Sequence, residues 1–153
     1  MTEFYTYNRC LFETTKCLPL LPSNQNYIEM DTKNEDQMNI DALYDKGSEY
    51  QMDEEWAEAA KCYKEAAEHG HVKAMEALGE LYIRGWIEEN HEKGMMWLNK
   101  AAELGDADAC FALGDYYFHG YGKKPNKRLA KKWWQKAIDR GHEGAARFYL
   151  KYC

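Results

Sequence analysis

A short group of residues recurs along this chain at a spacing of 35 residues. Ala77-Leu78-Gly79 returns as Ala112-Leu113-Gly114, and Ala66-Ala67 returns as Ala101-Ala102. Glycines keep the same phase at positions 70, 105 and 141, where the last spacing is 36 because the third copy has one extra loop residue. A helical unit of this size cannot bury its apolar face alone, so the period predicts a stack of similar units that share one core.

Each unit is predicted to contain two helices. In the second copy, apolar residues recur at helical rather than alternating spacing over about 73–84 and again over about 91–104. Gly105 then stands where a helix C-cap needs a residue that tolerates a positive φ. Gly79 and Gly114 have no side chain, so they would let the partner helix approach closely.

The second copy carries the frame A-x-x-A-L-G-x-L-Y-x-x-G, a variable loop, and then W-L-x-K-A-A-E-x-G-D-x-x-A, which resembles a Sel1-like repeat. Residues 74–109 carry this frame almost completely, and residues 109–145 are a second good match. Residues 41–72 match only in their second helix, because Tyr44 replaces the expected Gly and Tyr50 replaces the loop Gly.

The resemblance implies an all-α fold, an α/α solenoid related to the tetratricopeptide arrangement. It contains about three helix-pair repeats and a short C-terminal helix that resembles the start of a fourth copy. The expected bounds are 41–73, 74–108 and 109–144 for the repeats and 145–153 for the terminal helix.

Residues 1–40 differ in composition from the repeats, since every alanine, glycine and tryptophan of the chain lies beyond residue 40. The mixture of Thr and aromatic residues over about 3–17 predicts a short strand or hairpin, which Pro19 and Pro22 end. The polar, acidic residues that follow predict a linker or the start of the first helix. We expect this extension either to cap repeat one or to become ordered only on a partner.

The resemblance also implies that the first helix of each pair lines a concave groove that binds a protein. In the register set by Gly79 and Gly114, the residues expected on that face are mostly acidic or aromatic. They are Asp41, Asp45, Glu49, Glu76, Glu80, Arg84, Phe111, Asp115, Phe118 and His119. Glu76, Glu80 and Asp115 are expected to be exposed. Such a face would steer a basic partner and anchor it on the aromatic rings; the alternative is an ordinary solvated helix face.

The net charge of -6 is the sum of two unlike regions. Residues 29–68 are strongly acidic, whereas residues 123–140 are strongly basic and include Trp133 and Trp134. Basic residues among aromatic ones can indicate nucleic acid binding, but Trp133 occupies a core position of the repeat, so a solvated convex face is favoured. The opposite charges permit weak head-to-tail association, and a monomer is equally compatible with them.

Motifs for catalysis, cofactor binding or metal binding are not apparent in the sequence. His71 and His142 both follow a repeat glycine, which favours a role in a turn or in packing. The five cysteines are not periodic, as expected for reduced thiols in the cytoplasm. No apolar run reaches the length of a membrane helix, and the N-terminal residues do not form a signal peptide pattern.

The sequence therefore predicts a cytoplasmic, non-catalytic protein–protein interaction module that needs no cofactor or metal. One alternative is an immunity protein that neutralises a cognate bacterial toxin by occluding its basic active site. Another is a regulatory adaptor subunit of a larger assembly. A protein with a basic surface is the expected partner, whereas the mildly acidic composition disfavours nucleic acid.

Overall fold

The computed structural model describes the backbone of residues 25–152 and the side chains of residues 36–152. The chain divides into two units, residues 1–37 and 38–153, and of the first unit only residues 25–37, which begin a helix, are described. The described residues form seven helices and no strand. These are α1 Gln25–Met52, α2 Trp56–Glu68, α3 Val72–Arg84, α4 His91–Glu103, α5 Ala107–His119, α6 Lys127–Asp139 and α7 Glu143–Tyr152.

The helices follow one another as the pairs α1/α2, α3/α4 and α5/α6, with α7 after the last pair. The predicted all-α fold is confirmed, and the two helices predicted at about 73–84 and 91–104 correspond to α3 and α4. Residues 25–40 are helical, so α1 begins well before the repeat pattern does. The strand or hairpin predicted over 3–17 lies outside the described residues.

Three residues join each helix pair to the next helix, and the middle one is a glycine at positive φ. In the connection from α4 to α5, the Gly105 N–H donates to the Ala102 carbonyl at 3.1 Å and the Asp106 N–H donates to the Ala101 carbonyl at 3.0 Å. These are the two hydrogen bonds of a Schellman motif, which needs a left-handed residue at the position of Gly105, where φ is 100°. Asp106 Oδ1 then accepts from the Ala109 N–H at 2.8 Å and caps α5.

Histidine takes the place of Asp106 in the other two connections. His71 Nδ1 accepts from the Ala74 N–H at 3.0 Å and caps α3, and His142 Nδ1 accepts from the Ala145 N–H at 2.9 Å at the start of α7. The turn role predicted for these two histidines is confirmed. An Nδ1 that accepts a hydrogen bond carries no proton, so the bond assigns the neutral ring with its proton on Nε2.

Glycines without side chains allow the two helices of a pair to touch. An ideal Cβ on Gly79 of α3 would lie 2.8 Å from Leu98 Cγ on α4, closer than real Cβ atoms approach other atoms. Gly114 of α5 faces Trp134 of α6 in the same way, and Trp134 is completely buried. Alanine, with its small side chain, is the residue type that occurs most often in the buried core. The fully buried alanines are Ala59, Ala66, Ala74, Ala101, Ala109, Ala130, Ala137 and Ala145.

Gly47, and not Tyr44, fills the glycine position of the first pair. An ideal Cβ on Gly47 would lie 2.6 Å from Cε1 of Tyr63, the residue of α2 that corresponds to Leu98 and Trp134. The predicted register of α1, with Tyr44 in this position, is therefore wrong by three residues. The cause is the turn of the first pair, which spans residues 53–55, three residues fewer than the turn at 85–90.

Polar contacts join neighbouring pairs near the ends of the helices. Lys73 of α3 forms ion pairs with Asp106 and Asp108 at the start of α5. Arg140 Nη1, after α6, donates to the carbonyl of Ala102 at 2.7 Å and so satisfies the C-terminal end of α4. Arg140 belongs to the basic stretch 123–140, and its contact gives that stretch a structural function at this position.

Candidate functional site

Two clefts open between the first helices of successive pairs. The α1–α3 cleft has a volume of about 370 Å³, and the α3–α5 cleft has a volume of about 70 Å³. The residues that line the α1–α3 cleft are Tyr44, Ser48, Gln51, Met52, Trp56, Tyr63, Glu76, Ala77, Glu80, Leu81 and Trp86. Those that line the α3–α5 cleft are Glu80, Ile83, Arg84, Leu98, Ala112, Asp115, Tyr116 and Tyr121.

Aromatic rings form much of the wall of the α1–α3 cleft. Trp56, at the start of α2, and Trp86, after the end of α3, stack with ring centroids 4.5 Å apart and planes inclined by 21°. Tyr44 lies with its ring centroid 5.6 Å from that of Tyr63. The Tyr63 hydroxyl donates to Gln51 Oε1 at 2.8 Å, which fixes the ring. Rings held in this way present a shaped apolar surface that needs little further ordering when a ligand binds.

Glu76 of α3 brings a carboxylate into the α1–α3 cleft, where it is partly buried. Its pKa is raised to about 8, mainly by burial and then by the nearby charges of Glu80, Asp106 and Asp108, while Lys73 acts in the opposite direction. A carboxyl group with this pKa is mostly protonated at neutral pH. The free cleft therefore holds a neutral acid that a bound cation would convert to the charged form.

The α3–α5 cleft contains a partly balanced group of charges. Glu80 Oε2 lies 3.5 Å from Arg84 Nε, and Asp115 Oδ1 lies 3.7 Å from His119 Nε2. That Asp115 oxygen is buried and has no hydrogen-bond partner among the described residues. Burial raises the pKa of Asp115, while the charges of His119 and Arg84 lower it. The same cleft is lined by Tyr116, whose hydroxyl is also buried without a partner in the described part of the chain.

Five of the ten residues predicted for the binding face lie at or beside the clefts. Glu76, Glu80, Arg84 and Asp115 line them, and His119 contacts Asp115. The expectation that Glu76, Glu80 and Asp115 are exposed is wrong, because all three are partly buried between neighbouring helices. Their burial follows from the stacking of the pairs, which places the same face of one first helix against the next.

The predicted aromatic end of the groove is covered by α7. Phe111 stacks on His142 with centroids 4.4 Å apart and meets the edge of Phe148 at 5.0 Å. Phe118 packs against Trp134 and Tyr152, with centroid distances of 5.4 Å and 4.6 Å. Helix α7 thus occupies the position that the first helix of a further pair would take.

The three residues of α1 that were predicted for the binding face lie elsewhere once the register of α1 is corrected. Asp41 Oδ1 lies 3.5 Å from His71 Nε2, next to the cap of α3. Asp45 and Glu49 are exposed, and neither lines either cleft. The residues of α1 that do line the α1–α3 cleft are Tyr44, Ser48, Gln51 and Met52, none of which was predicted for the binding face. The spacing of Gly47 and Tyr50, which matches that of Gly79 and Tyr82, is the signal that would have found them.

The basic stretch 123–140 lies on the other helix of its pair. Lys136 Nζ is 4.0 Å from the centroid of the Trp133 ring, and Lys131 Nζ is 5.0 Å from that of Tyr149. Trp133 packs against the core but is only partly buried, whereas its neighbour Trp134 is fully buried. Packing thus explains Trp134, and contacts with the core and with Lys136 explain Trp133, which is less buried than the core position predicted for it.

Three further properties bear on the chemistry of the described residues. They contain no group of three or more His, Cys, Asp or Glu side chains placed to hold a metal ion. None of their helices combines the length and the apolar character needed to span a bilayer. Cys62 and Cys110 are free thiols.

Comparison with known proteins identifies the repeat. The family model described as Sel1 repeat matches residues 57–71, 72–106 and 107–142. A Sel1 repeat protein from Oxalobacter formigenes is 28% identical with a TM-score of 0.65, and the match covers 72% of this chain and 47% of that one. A protective antigen of uropathogenic Escherichia coli strains, which displays an SLR fold, is 30% identical with a TM-score of 0.64, with coverage of 72% and 25%. This chain therefore spans about half of the first protein and a quarter of the second. A search of curated proteins found no match.

Proposed function

Because this chain belongs to the Sel1 repeat family, whose repeats generally mediate contacts between proteins, we propose that it is a non-catalytic protein–protein interaction module. The observation that carries the proposal is the pair of clefts between α1, α3 and α5. They place acidic and aromatic side chains, already held by packing, at the junctions between helix pairs. Preformed aromatic pockets of this kind are where protein interfaces concentrate their binding energy.

The proposed partner has a basic surface. The acidic residues that line the clefts are Glu76, Glu80 and Asp115, and the basic one is Arg84. An excess of negative charge accelerates the encounter with a basic partner and makes it sensitive to salt. The lysines and arginines of 123–140 lie on α6 and in the segments on either side of it, and none of them lines these clefts.

Two narrower functions fit the same clefts. An immunity protein would use its acidic residues to occlude the basic active site of a cognate toxin, and a regulatory adaptor would hold a subunit of a larger assembly. In either form the protein is proposed to act as a monomer or with weak self-association.

The cytoplasm is the proposed location, because Cys62 and Cys110 are free thiols, as is usual in a reducing compartment.

The test is affinity capture from a lysate of the source organism, followed by mass spectrometry, with two charge-matched variants. The cleft variant carries Glu80→Lys and Asp115→Lys. The control variant carries Glu65→Lys and Glu103→Lys, two exposed acids on the second helices α2 and α4. Circular dichroism and thermal melting establish that both are folded before capture.

We expect the wild type and the control variant to retain one stoichiometric protein partner and the cleft variant to lose it. Binding that weakens with increasing salt supports the charge argument. Equal retention by the two variants, or equal loss, would show that the clefts are not the binding site.

A further inference from the structure

The α1–α3 cleft combines three features suited to one kind of ligand group. It has planar rings in Tyr44, Trp56 and Trp86, and it has two carboxyl groups, Glu76 and Glu80, one helical turn apart on the same face of α3. Its volume of about 370 Å³ is ample for a long side chain. Aromatic faces attract cations and stack on planar ones, and carboxylates pair with them.

At the edge of the α1–α3 cleft, Arg84 of the protein itself contacts both an aromatic ring and a carboxyl group. The Arg84 guanidinium carbon lies 5.3 Å from the centroid of the Trp86 ring, and its Nε lies 3.5 Å from Glu80 Oε2. A guanidinium is thus already placed over one ring of the cleft and beside one of its two carboxyl groups. Glu76 has no such ion pair or hydrogen bond to a described residue, and only longer-range charges act on it.

We propose that the α1–α3 cleft binds one arginine side chain of the partner protein, with the guanidinium paired to Glu76 and stacked on the aromatic wall. This inference rests on the proposed function and specifies what the partner must present. Arginine is favoured over lysine because its planar, delocalised cation can stack on Trp56 or on the face of Tyr44 opposite His71 while it donates two hydrogen bonds to one carboxylate. Trp86 already stacks on Trp56 and has Arg84 over its ring, so it contributes by holding Trp56 in place. The long stem of arginine would lie against the apolar parts of the wall.

The state of Glu76 gives this binding a pH dependence. The groups around Glu76 are Glu80 on its own helix, Lys73 at the start of α3, Asp106 and Asp108 at the start of α5, and the tyrosines of α1 and α2. With a pKa of about 8, Glu76 must lose a proton to pair with the guanidinium. The affinity should therefore rise with pH up to about 8 and then level off. Between pH 6.5 and 8.5 the rise would be roughly 25-fold if only the charged form binds.

The experiment uses N-acetyl-arginine amide as the probe and N-acetyl-citrulline amide as its uncharged isostere. Each is titrated into the full ¹⁵N-labelled protein, and the indole N–H signals of Trp56 and Trp86 are followed together with the backbone amides. We expect saturable shifts at the residues that line the cleft with the arginine compound and none with the citrulline compound. Equal responses to both, or shifts that map away from the cleft, would overturn the proposal.

Single substitutions in the cleft test its role in binding without unfolding the protein. Glu76→Gln should weaken binding of the arginine compound at least tenfold at pH 8 and remove the pH dependence, whereas Glu103→Gln on the exposed face of α4 should change neither. Trp86→Leu lies in a loop at a side chain that is 40% exposed, so it should weaken binding without unfolding the chain. A Glu76→Gln protein that binds as the wild type does would refute the pairing.

The outcomes also distinguish this inference from the proposed function. Capture of a protein partner by a chain that ignores the arginine compound overturns the arginine site and leaves the interaction module intact. A cleft that binds the arginine compound in a protein that captures no partner overturns the proposed function instead.

Discussion

Replacing Glu76 with glutamine should stabilise the free protein, by an amount that grows with pH. The ordinary pKa of this carboxyl group is 4.5, and burial in the α1–α3 cleft together with the neighbouring acidic groups raises it to about 8. Below pH 4.5 the group is protonated in both the folded and the unfolded chain, so it has no effect on the balance between them. As the pH rises from 4.5 to 8, the unfolded chain gives up this proton while the folded chain retains it. Stability therefore falls over this window.

The size of the effect follows from the two pKa values. Each pH unit between them lowers the free energy of unfolding by about 1.4 kcal/mol. At pH 7 the loss is about 3 kcal/mol, and above pH 8 it approaches an upper limit of about 5 kcal/mol. Glutamine is close to glutamate in size but does not titrate. The difference between the variant and the wild type should therefore increase across this window whatever constant offset the amide itself introduces.

The assay is urea denaturation of the wild type, Glu76→Gln and Glu103→Gln at half-unit steps from pH 5 to pH 9, with the free energy of unfolding compared at each step. The Glu103 side chain is exposed, so its variant should follow the wild type in parallel. If the curve of Glu76→Gln also runs parallel to that of the wild type, then the cleft does not hold the Glu76 carboxyl group protonated, and the predicted pH dependence of arginine binding fails with it.

Three further changes test the packing and the caps. Gly47→Ala should destabilise the protein by about 1–3 kcal/mol because its Cβ would overlap Tyr63. Asp45→Ala, at an exposed position of the same helix, should change the free energy of unfolding by no more than about 0.5 kcal/mol. Similar losses for the two variants in urea denaturation would contradict the corrected register. His142→Ala should cost about 1 kcal/mol by removing the side-chain cap of α7. His142→Asp should retain the cap because Asp106 performs it in the preceding connection, so equal losses in melting experiments would argue against a capping role. Trp134→Ala should cost about 3–5 kcal/mol because the indole is fully buried, and a loss below 1 kcal/mol would contradict its place in the core.

The repeat period of 35 residues was sufficient to predict most of the fold. The repeat needs two helices per unit, glycines where these helices touch and a glycine at the end of each pair. Each of these requirements is local, so it can be recognised from the residue types at the positions concerned. The helix bounds of the second copy and the turn role of His71 and His142 could be predicted for this reason. The first copy was misaligned because a turn shorter by three residues changes the spacing without changing the packing, and only the contact of Gly47 with Tyr63 identifies the equivalent position.

The candidate site depended more on the tertiary structure. The sequence by itself determined an array of helix pairs with acidic residues on the first helices, because helical periodicity assigns residues to faces. It could not determine that Phe111 and Phe118 are covered by α7, or that Trp56 and Trp86 meet across the α1–α3 cleft. Nor could it show that Glu76 is buried enough to hold a proton near neutral pH. Burial and pKa depend on which neighbouring helix lies against a face and how closely, and only the stacked pairs decide that.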